Sequence, residues 1–111
     1  MERVVYCMAR IGMIGAGSWG IALTVLLHNN GHDITVWSAL KDEIDMLGRE
    51  HEHKDKLPGV KLADDIVFTT ALAEAVKEKD ILVLAVPSSF TRATASSMKE
   101  CVAEGQIIVN V

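Results

Sequence analysis

Three glycines near the start of the chain have the spacing of a phosphate-binding turn. Gly15, Gly17 and Gly20 form a G-x-G-x-x-G pattern between an apolar strand and an amphipathic segment. Gly15 permits a tight turn, Gly17 lets a pyrophosphate approach the backbone, and Gly20 lets the helix pack closely on the strand. The free N–H groups and the positive dipole end of that helix would then face the phosphates. The pattern predicts a dinucleotide site, and a glycine turn without a ligand is the alternative.

Two further groups of residues belong to the same predicted site. Ala16, Ser18 and Trp19 complete the glycine turn and open the helix, where Ser18 is an N-cap candidate. Trp19 could shield a cofactor from water or be a core or interface aromatic. Pro87 ends a buried strand and is followed by Ser88 and Ser89, and Phe90 could project towards the cofactor or plug a helix start.

The end of the second predicted strand bears on cofactor choice. An acid at that point binds the ribose 2′-hydroxyl of NAD, whereas a basic residue favours the 2′-phosphate of NADP. The sequence there, Trp37 to Lys41, has no acid, and Asp42 and Glu43 come late enough to lie inside the next helix. Lys41 is interpreted as a solvated lysine. The missing acid favours NADP or mixed use of NAD and NADP.

No other motif predicts chemistry. His51-Glu52-His53 has no third metal ligand nearby, so we interpret it as a solvated loop and predict no metal site. No Ser-His-Asp arrangement is present, and the clustered acids read as helix surface. The sequence therefore offers no candidate catalytic acid or base.

The elements that must position these residues alternate regularly. Apolar runs and glycine or proline breaks predict five strands and four helices. The predicted strands are 10–14, 33–37, 66–69, 81–86 and 107–111, and the predicted helices start near Ser18, Lys41, Ala71 and Thr91, the last ending near Ala103. Such alternation predicts an α/β doubly wound parallel sheet in the order 3-2-1-4-5, with the ligand crevice at the carboxyl ends of strands one and four. The last strand is expected to be buried. We predict that residues 10–111 form the dinucleotide-binding domain and that residues 1–9 are either an N-terminal extension or the start of strand one.

Composition narrows the class of protein. The chain has 111 residues, half of them apolar, with a formal net charge of −4 and no basic stripe, which disfavours a nucleic-acid partner. Cys7 and Cys101 are isolated, which indicates a reducing compartment. No apolar run is long enough for a membrane span and no signal peptide is evident, so we expect a cytoplasmic protein. Oligomeric state cannot be predicted from the sequence.

Several segments resemble one dehydrogenase family. They are Ile14–Gly20 with Ala22-Leu23, Asn30–Asp33 with Val36-Trp37, Leu57–Leu62, and Val86–Ser88 with Phe90. Over residues 10–111 the sequence resembles the N-terminal domain of bacterial NAD(P)-dependent glycerol-3-phosphate dehydrogenase, and Leu57-Pro58-Gly59 is the most discriminating part. The resemblance implies reversible hydride transfer between NAD(P)H and dihydroxyacetone phosphate to give sn-glycerol 3-phosphate for phospholipid synthesis. It also implies that Ser18, Trp19 and Phe90 contact the cofactor.

The sequence departs from the family in three places. Ala39 replaces a residue that contacts the adenosine end, and Ser89 replaces a common Gln or His. The chain also stops before the substrate-binding and catalytic lysines of the family, so we expect a fragment truncated before the helical substrate domain, with weak cofactor binding and no turnover. The alternatives are a related ketopantoate or 3-hydroxyacid reductase, and a stand-alone nucleotide-binding or redox-sensing module.

Overall fold

A computed structural model describes residues 8–111, which form five strands and four helices in strict alternation. The elements are β1 (Arg10–Ile14), α1 (Ser18–Asn29), β2 (Asp33–Trp37), α2 (Lys41–Glu50), β3 (Val67–Thr69), α3 (Leu72–Val76), β4 (Ile81–Leu84), α4 (Ser88–Met98) and β5 (Ile107–Asn110). The segment 1–9 was predicted to be an extension or the start of strand one; residues 1–7 lie outside the described residues, and Met8 and Ala9 precede β1.

The five strands make one parallel sheet in the order β3-β2-β1-β4-β5, which confirms the predicted doubly wound topology. The centre of the sheet is β1, whose Ile14 pairs with Trp37 of β2 on one side and with Leu84 of β4 on the other. The chain therefore reverses its winding direction between β1 and β4. The connections after these two strands leave towards opposite faces of the sheet, and a crevice lies between them.

Side-chain alternation along β1 divides the core into two layers. Ile11 and Met13 pack into the cluster that holds Ile21 of α1 and Leu47 of α2. Ile14 points to the other face, in the cluster that holds residues of α3, β4 and α4. Because consecutive side chains of a strand face opposite ways, a short apolar run supplies both layers.

Two helix predictions need correction. In α1 the helical spacing of Ile21, Ala22, Val25 and Leu26 predicts that these four side chains face the sheet, but Leu26 is 56% exposed and the fully buried positions include Thr24. The helix is apolar on most sides, so spacing alone did not identify its inner face. The last helix begins at Ser88 and ends at Met98, not 91–103, because Pro87 is its N-cap and a turn follows Met98.

The prediction that β5 is buried is wrong. The strand forms where expected and pairs with β4, but all four of its residues are exposed. It lies at the edge of the sheet, and no helix within the described residues covers it. An apolar run therefore indicated strand structure correctly and burial incorrectly.

In the part of the chain that the structure describes, every helix is too short or too polar to cross a lipid bilayer.

Candidate functional site

A cavity of about 620 Å³ opens at the carboxyl ends of the central strands. This volume is in the range of pockets that hold small molecules and cofactors. We call the cavity the crevice. Its lining includes the glycine turn, the residues after β2 and β4, and the start of α4: Gly15, Ala16, Gly17, Ser18, Trp19, Trp37, Ser38, Ala39, Leu40, Glu43, Lys56, Ala85, Val86, Pro87, Phe90, Thr94 and Val111.

The three glycines of the turn have different surroundings. Gly15 has a φ of +129°, and a Cβ there would lie 2.6 Å from the carbonyl oxygen of Ala85. A Cβ on Gly20 would collide with the carbonyl oxygen of Gly15. These two positions are glycine because the backbone itself leaves no room.

Gly17 is different, because nothing in its backbone environment requires glycine. Its φ and ψ of −76° and −173° suit any residue, and the nearest atom to a Cβ there is Nζ of Lys56 at 4.0 Å. The space in front of Gly17 is therefore open to the crevice. An open glycine at the N-terminus of a twelve-residue helix is the arrangement that a pyrophosphate needs.

The first turn of α1 departs from the prediction in one respect. Gly17, and not Ser18, is the N-cap residue, and no side chain caps the helix. The Ser18 hydroxyl instead donates a hydrogen bond of 3.0 Å to the carbonyl oxygen of Lys56. The first N–H groups of the helix are thus left without a capping side chain, which keeps them available to an anion.

The two aromatic candidates both line the crevice. Trp19 is 59% exposed at the start of α1, and Phe90 is 60% exposed in the first turn of α4. Neither side chain is buried in either core cluster, so neither is a core aromatic or a plug. Ala16 is buried in the lining, whereas Gly20 lies behind it and serves the packing of the turn.

The side chain of an acid from α2 lies at the end of β2. Glu43 lies in α2, as expected, but its side chain is only 10% exposed and reaches back to β2. Its Oε1 accepts a 2.6 Å hydrogen bond from the Ser38 hydroxyl, which itself accepts one from the backbone N–H of Leu40. The expectation that acids lie on the helix surface is therefore wrong for Glu43, and the tip of β2 is not free of negative charge.

The prediction that His53 lies in a solvated loop is also wrong, because its side chain is buried. Its side chain is 2% exposed, and Nε2 lies 2.7 Å from Oε2 of Glu43. Its Nδ1 accepts a hydrogen bond from the backbone N–H of Lys56, so Nε2 carries the proton and donates to Glu43. No local pattern could have revealed this pairing, because the partners are ten residues apart and belong to different elements.

Lys56 completes this group, which we call the Glu43 cluster: Ser38, Glu43, His53 and Lys56. The Lys56 ammonium lies 3.5 Å from Oε2 of Glu43, and its side chain is half exposed. Burial opposes ionisation of Glu43, but the hydrogen bonds from His53 and Ser38 and the charge of Lys56 together outweigh it and hold the pKa of Glu43 below its ordinary value. The cluster is thus an ionised, hydrogen-bonded group beside the crevice.

Among residues 8–111, no three His, Cys, Asp or Glu side chains are close enough together to hold a metal ion. The crevice instead combines an open helix N-terminus, three aromatic side chains and one lysine, which suits phosphates joined to flat rings.

Comparison with known proteins identifies the family of this fold. Residues 10–111 match the family model described as NAD-dependent glycerol-3-phosphate dehydrogenase N-terminus. The chain is 62% identical over 104 residues to the glycerol-3-phosphate dehydrogenase [NAD(P)+] of Agathobacter rectalis, covering 94% of this chain and 31% of that one. It is 50% identical over 104 residues to a second such enzyme, from Lactobacillus delbrueckii subsp. bulgaricus, with the same coverage.

A solved structure agrees on the fold. The crystal structure of glycerol-3-phosphate dehydrogenase from Coxiella burnetii superimposes with a TM-score of 0.88 at 24% identity, covering 93% of this chain and 32% of that one. This chain therefore spans about a third of the length of the relatives it matches, and the matched third is the nucleotide-binding one. The chain belongs to the N-terminal domain family of NAD-dependent glycerol-3-phosphate dehydrogenase.

Proposed function

We infer that this chain is the cofactor-binding part of an enzyme that transfers hydride between NAD(P)H and dihydroxyacetone phosphate, giving sn-glycerol 3-phosphate. The observation that carries this proposal is the open Gly17 at the N-terminus of α1, in a chain 62% identical to a glycerol-3-phosphate dehydrogenase. That this chain serves the reaction named for its relatives is part of the proposal.

In this proposal the dinucleotide crosses the crevice from β2 to β4. Its pyrophosphate lies against Gly15, Ala16 and Gly17, where it accepts hydrogen bonds from the first N–H groups of α1. The Ser18 hydroxyl holds the α2–β3 loop by its hydrogen bond to the Lys56 carbonyl, and Gly20 allows α1 to pack closely against Gly15. The adenosine lies beyond the end of β2.

Two aromatic side chains frame the reactive end of the proposed complex. Trp19 and Phe90 are large, exposed and placed on opposite walls of the crevice, at α1 and α4. They would cover the cofactor and exclude water from the nicotinamide when the dinucleotide binds. Bound NAD(P)H supplies the hydride, and the chain's own residues position it.

The proposal includes use of both NAD and NADP. The carboxylate of Glu43 stands where an NAD-selective acid would act, but Ser38, His53 and Lys56 already engage it. It therefore bonds a 2′-hydroxyl weakly. Its negative charge is balanced by Lys56, so it also repels a 2′-phosphate weakly. We expect the dissociation constants for NADH and NADPH to lie within about tenfold of each other, a difference of about 1.4 kcal/mol or less.

A related ketopantoate or 3-hydroxyacid reductase is the weaker alternative. Structures of that kind superimpose on this fold, but at 15–21% identity and with lower TM-scores of 0.68–0.69, which bears on the fold alone. A free-standing nucleotide-binding module would make the same crevice without any catalytic partner. NADPH oxidation by a chimera with a glycerol-3-phosphate dehydrogenase would favour the proposed function over both alternatives.

Cofactor binding can be followed with the protein's own fluorescence. Both tryptophans of the chain, Trp19 and Trp37, line the crevice, so NADH or NADPH should quench their emission on binding. We expect saturable quenching of the 111-residue chain by both cofactors. Absence of saturable quenching at millimolar cofactor would contradict the proposal.

The activity can be tested in a chimera. Residues 10–111 would replace the matching segment of the Agathobacter rectalis relative, and NADPH oxidation would be measured with dihydroxyacetone phosphate. The relative supplies the rest of the enzyme, so the measurement tests whether residues 10–111 present the cofactor to it. We expect NADPH oxidation, and a chimera that folds and binds NADPH without oxidising it would contradict the proposal.

A further inference from the structure

The charges of the crevice are few and unevenly placed. Within the part of the chain that the structure describes, Glu43 and Lys56 are the charged residues in its lining. Each phosphate of a dinucleotide carries negative charge, so a cation in the lining would stabilise it. The positive end of α1 supplies only partial charge. Lys56 is therefore the one full positive charge that these lining residues can offer.

The position of Lys56 points to a particular phosphate. Its Nζ is the closest atom to the open face of Gly17, 4.0 Å from where a Cβ would stand. A phosphate oxygen that packs against the Gly17 backbone would lie within hydrogen-bond distance of this ammonium. The end of β2, where a 2′-phosphate would sit, is separated from Nζ by the Glu43 carboxylate.

The backbone of Lys56 is held at two points, by α1 and by its own loop. Its carbonyl accepts from the hydroxyl of Ser18, in the first turn of α1, and its N–H donates to Nδ1 of His53. A backbone hydrogen bond of 3.0 Å from the N–H of Leu57 to the carbonyl of His53 closes the turn. The side chain alone is half exposed, and the ammonium keeps donors beyond its contact with Glu43.

We propose that Lys56 binds the pyrophosphate of the dinucleotide, reaching from the α2–β3 loop over the glycine turn. Glu43 and His53 act through Lys56 as positioning residues: the carboxylate holds the ammonium near Gly17, and the imidazole fixes the Lys56 backbone. This inference rests on the proposed dinucleotide function. It names a contact that serves NAD and NADP alike, because both contain the same pyrophosphate.

The test is Lys56→Met, which keeps the length of the side chain and removes its charge. Lys54→Met is the matched control, since Lys54 lies in the same turn, is 54% exposed and pairs with Glu50 away from the crevice. Titrations of tryptophan quenching with NADH and NADPH give the dissociation constants. Thermal melting of each variant shows whether it folds.

We expect Lys56→Met to raise the dissociation constants of NADH and NADPH by the same factor. That factor should be about tenfold, for the loss of one partly exposed charge-assisted hydrogen bond. Lys56→Arg should restore most of the affinity, and Lys54→Met should leave both constants within about twofold of the unmodified chain.

Three results would contradict either the Lys56 contact or the proposed function, and they differ from one another. Unchanged affinity for both cofactors in a folded Lys56→Met variant overturns this inference and leaves the proposed function intact. A loss confined to NADPH also overturns it, because the contact would then be to the 2′-phosphate. No quenching of the unmodified chain by either cofactor refutes the proposed function itself.

Discussion

The substitution Gly17→Ala should separate the stability of this domain from its ability to bind a cofactor. The backbone of Gly17 is extended, with φ −76° and ψ −173°, and a Cβ there would contact nothing nearer than Nζ of Lys56 at 4.0 Å. Alanine at this position therefore fits the folded chain without a steric clash, and it lowers the conformational entropy of the unfolded chain. That lower entropy favours folding by about 0.4–1 kcal/mol, but Gly17 is the N-cap residue of α1 and alanine is a poorer N-cap by a similar amount. We therefore expect the free energy of unfolding to change by less than about 1 kcal/mol, and the melting temperature by less than about 8 °C.

The same methyl group should obstruct the cofactor. It would occupy the open space in front of the first turn of α1, where the proposed pyrophosphate packs against the backbone. Displacing a phosphate oxygen from one N–H donor costs about 1.5–3 kcal/mol, the value of one hydrogen bond to a charged group. The dissociation constants for NADH and NADPH should therefore rise about 10- to 100-fold. Tryptophan quenching measures the binding, and thermal melting measures the stability.

Gly48→Ala is the control for this prediction. Gly48 lies in α2, a Cβ there meets no atom within 4 Å, and it is absent from the lining of the crevice. Alanine should stabilise the helix by about 0.5–1 kcal/mol and leave cofactor affinity unchanged. If Gly17→Ala binds NADPH as tightly as the unmodified chain, the glycine turn is not the pyrophosphate site. If it unfolds the chain, the structural reasoning about Gly17 is wrong.

Four other substitutions test the packing, the electrostatics and the sheet edge. Gly20→Ala places a Cβ against the carbonyl of Gly15 and should lower the free energy of unfolding by about 1–3 kcal/mol, measured by urea denaturation. Glu43 is ionised more easily in the folded chain than in the unfolded one, so its contribution to stability is present above pH 4.5 and is lost as the pH falls below it. Glu43→Gln should therefore flatten the acid limb of a melting-temperature profile from pH 7 to pH 3, and a limb as steep as that of the unmodified chain would argue against this assignment. Gln106 donates hydrogen bonds of 2.6 and 2.8 Å to the carbonyls of residues 76 and 79, so Gln106→Ala should cost about 1–3 kcal/mol in the same denaturation assay. Val109, 40% exposed on the edge strand β5, should promote self-association, and Val109→Lys should reduce it in sedimentation velocity runs over a range of concentrations.

Much of the fold could be predicted because its signals are local. The strand from Arg10 to Ile14, the glycine turn and the helix from Ser18 lie within twenty residues, and each follows from short-range apolar spacing and glycine conformation. The strand order was predicted because the glycine pattern after β1 is typical of the doubly wound fold with that order. For the same reason the predicted site residues of the turn are found together.

The failures share a physical cause, which is that burial depends on what packs against a residue from elsewhere. Leu26 and the apolar side chains of β5 have core-like composition but are exposed, whereas His53 lies in a polar stretch and is buried. The type of a side chain indicates whether its burial is favourable. Whether it is in fact buried depends on neighbours that come from distant parts of the chain.

The sequence by itself determined the strands and the phosphate-binding turn, because glycine geometry and strand periodicity act over a few residues, and the glycine pattern indicated the fold type and so the strand order. Only the tertiary structure decided the electrostatics of the crevice. It brings Ser38, Glu43, His53 and Lys56 from three separate segments to one point beside Gly17. Charge interactions act through space and not along the chain, so a carboxylate that reads as helix surface becomes the buried partner of a histidine and a lysine.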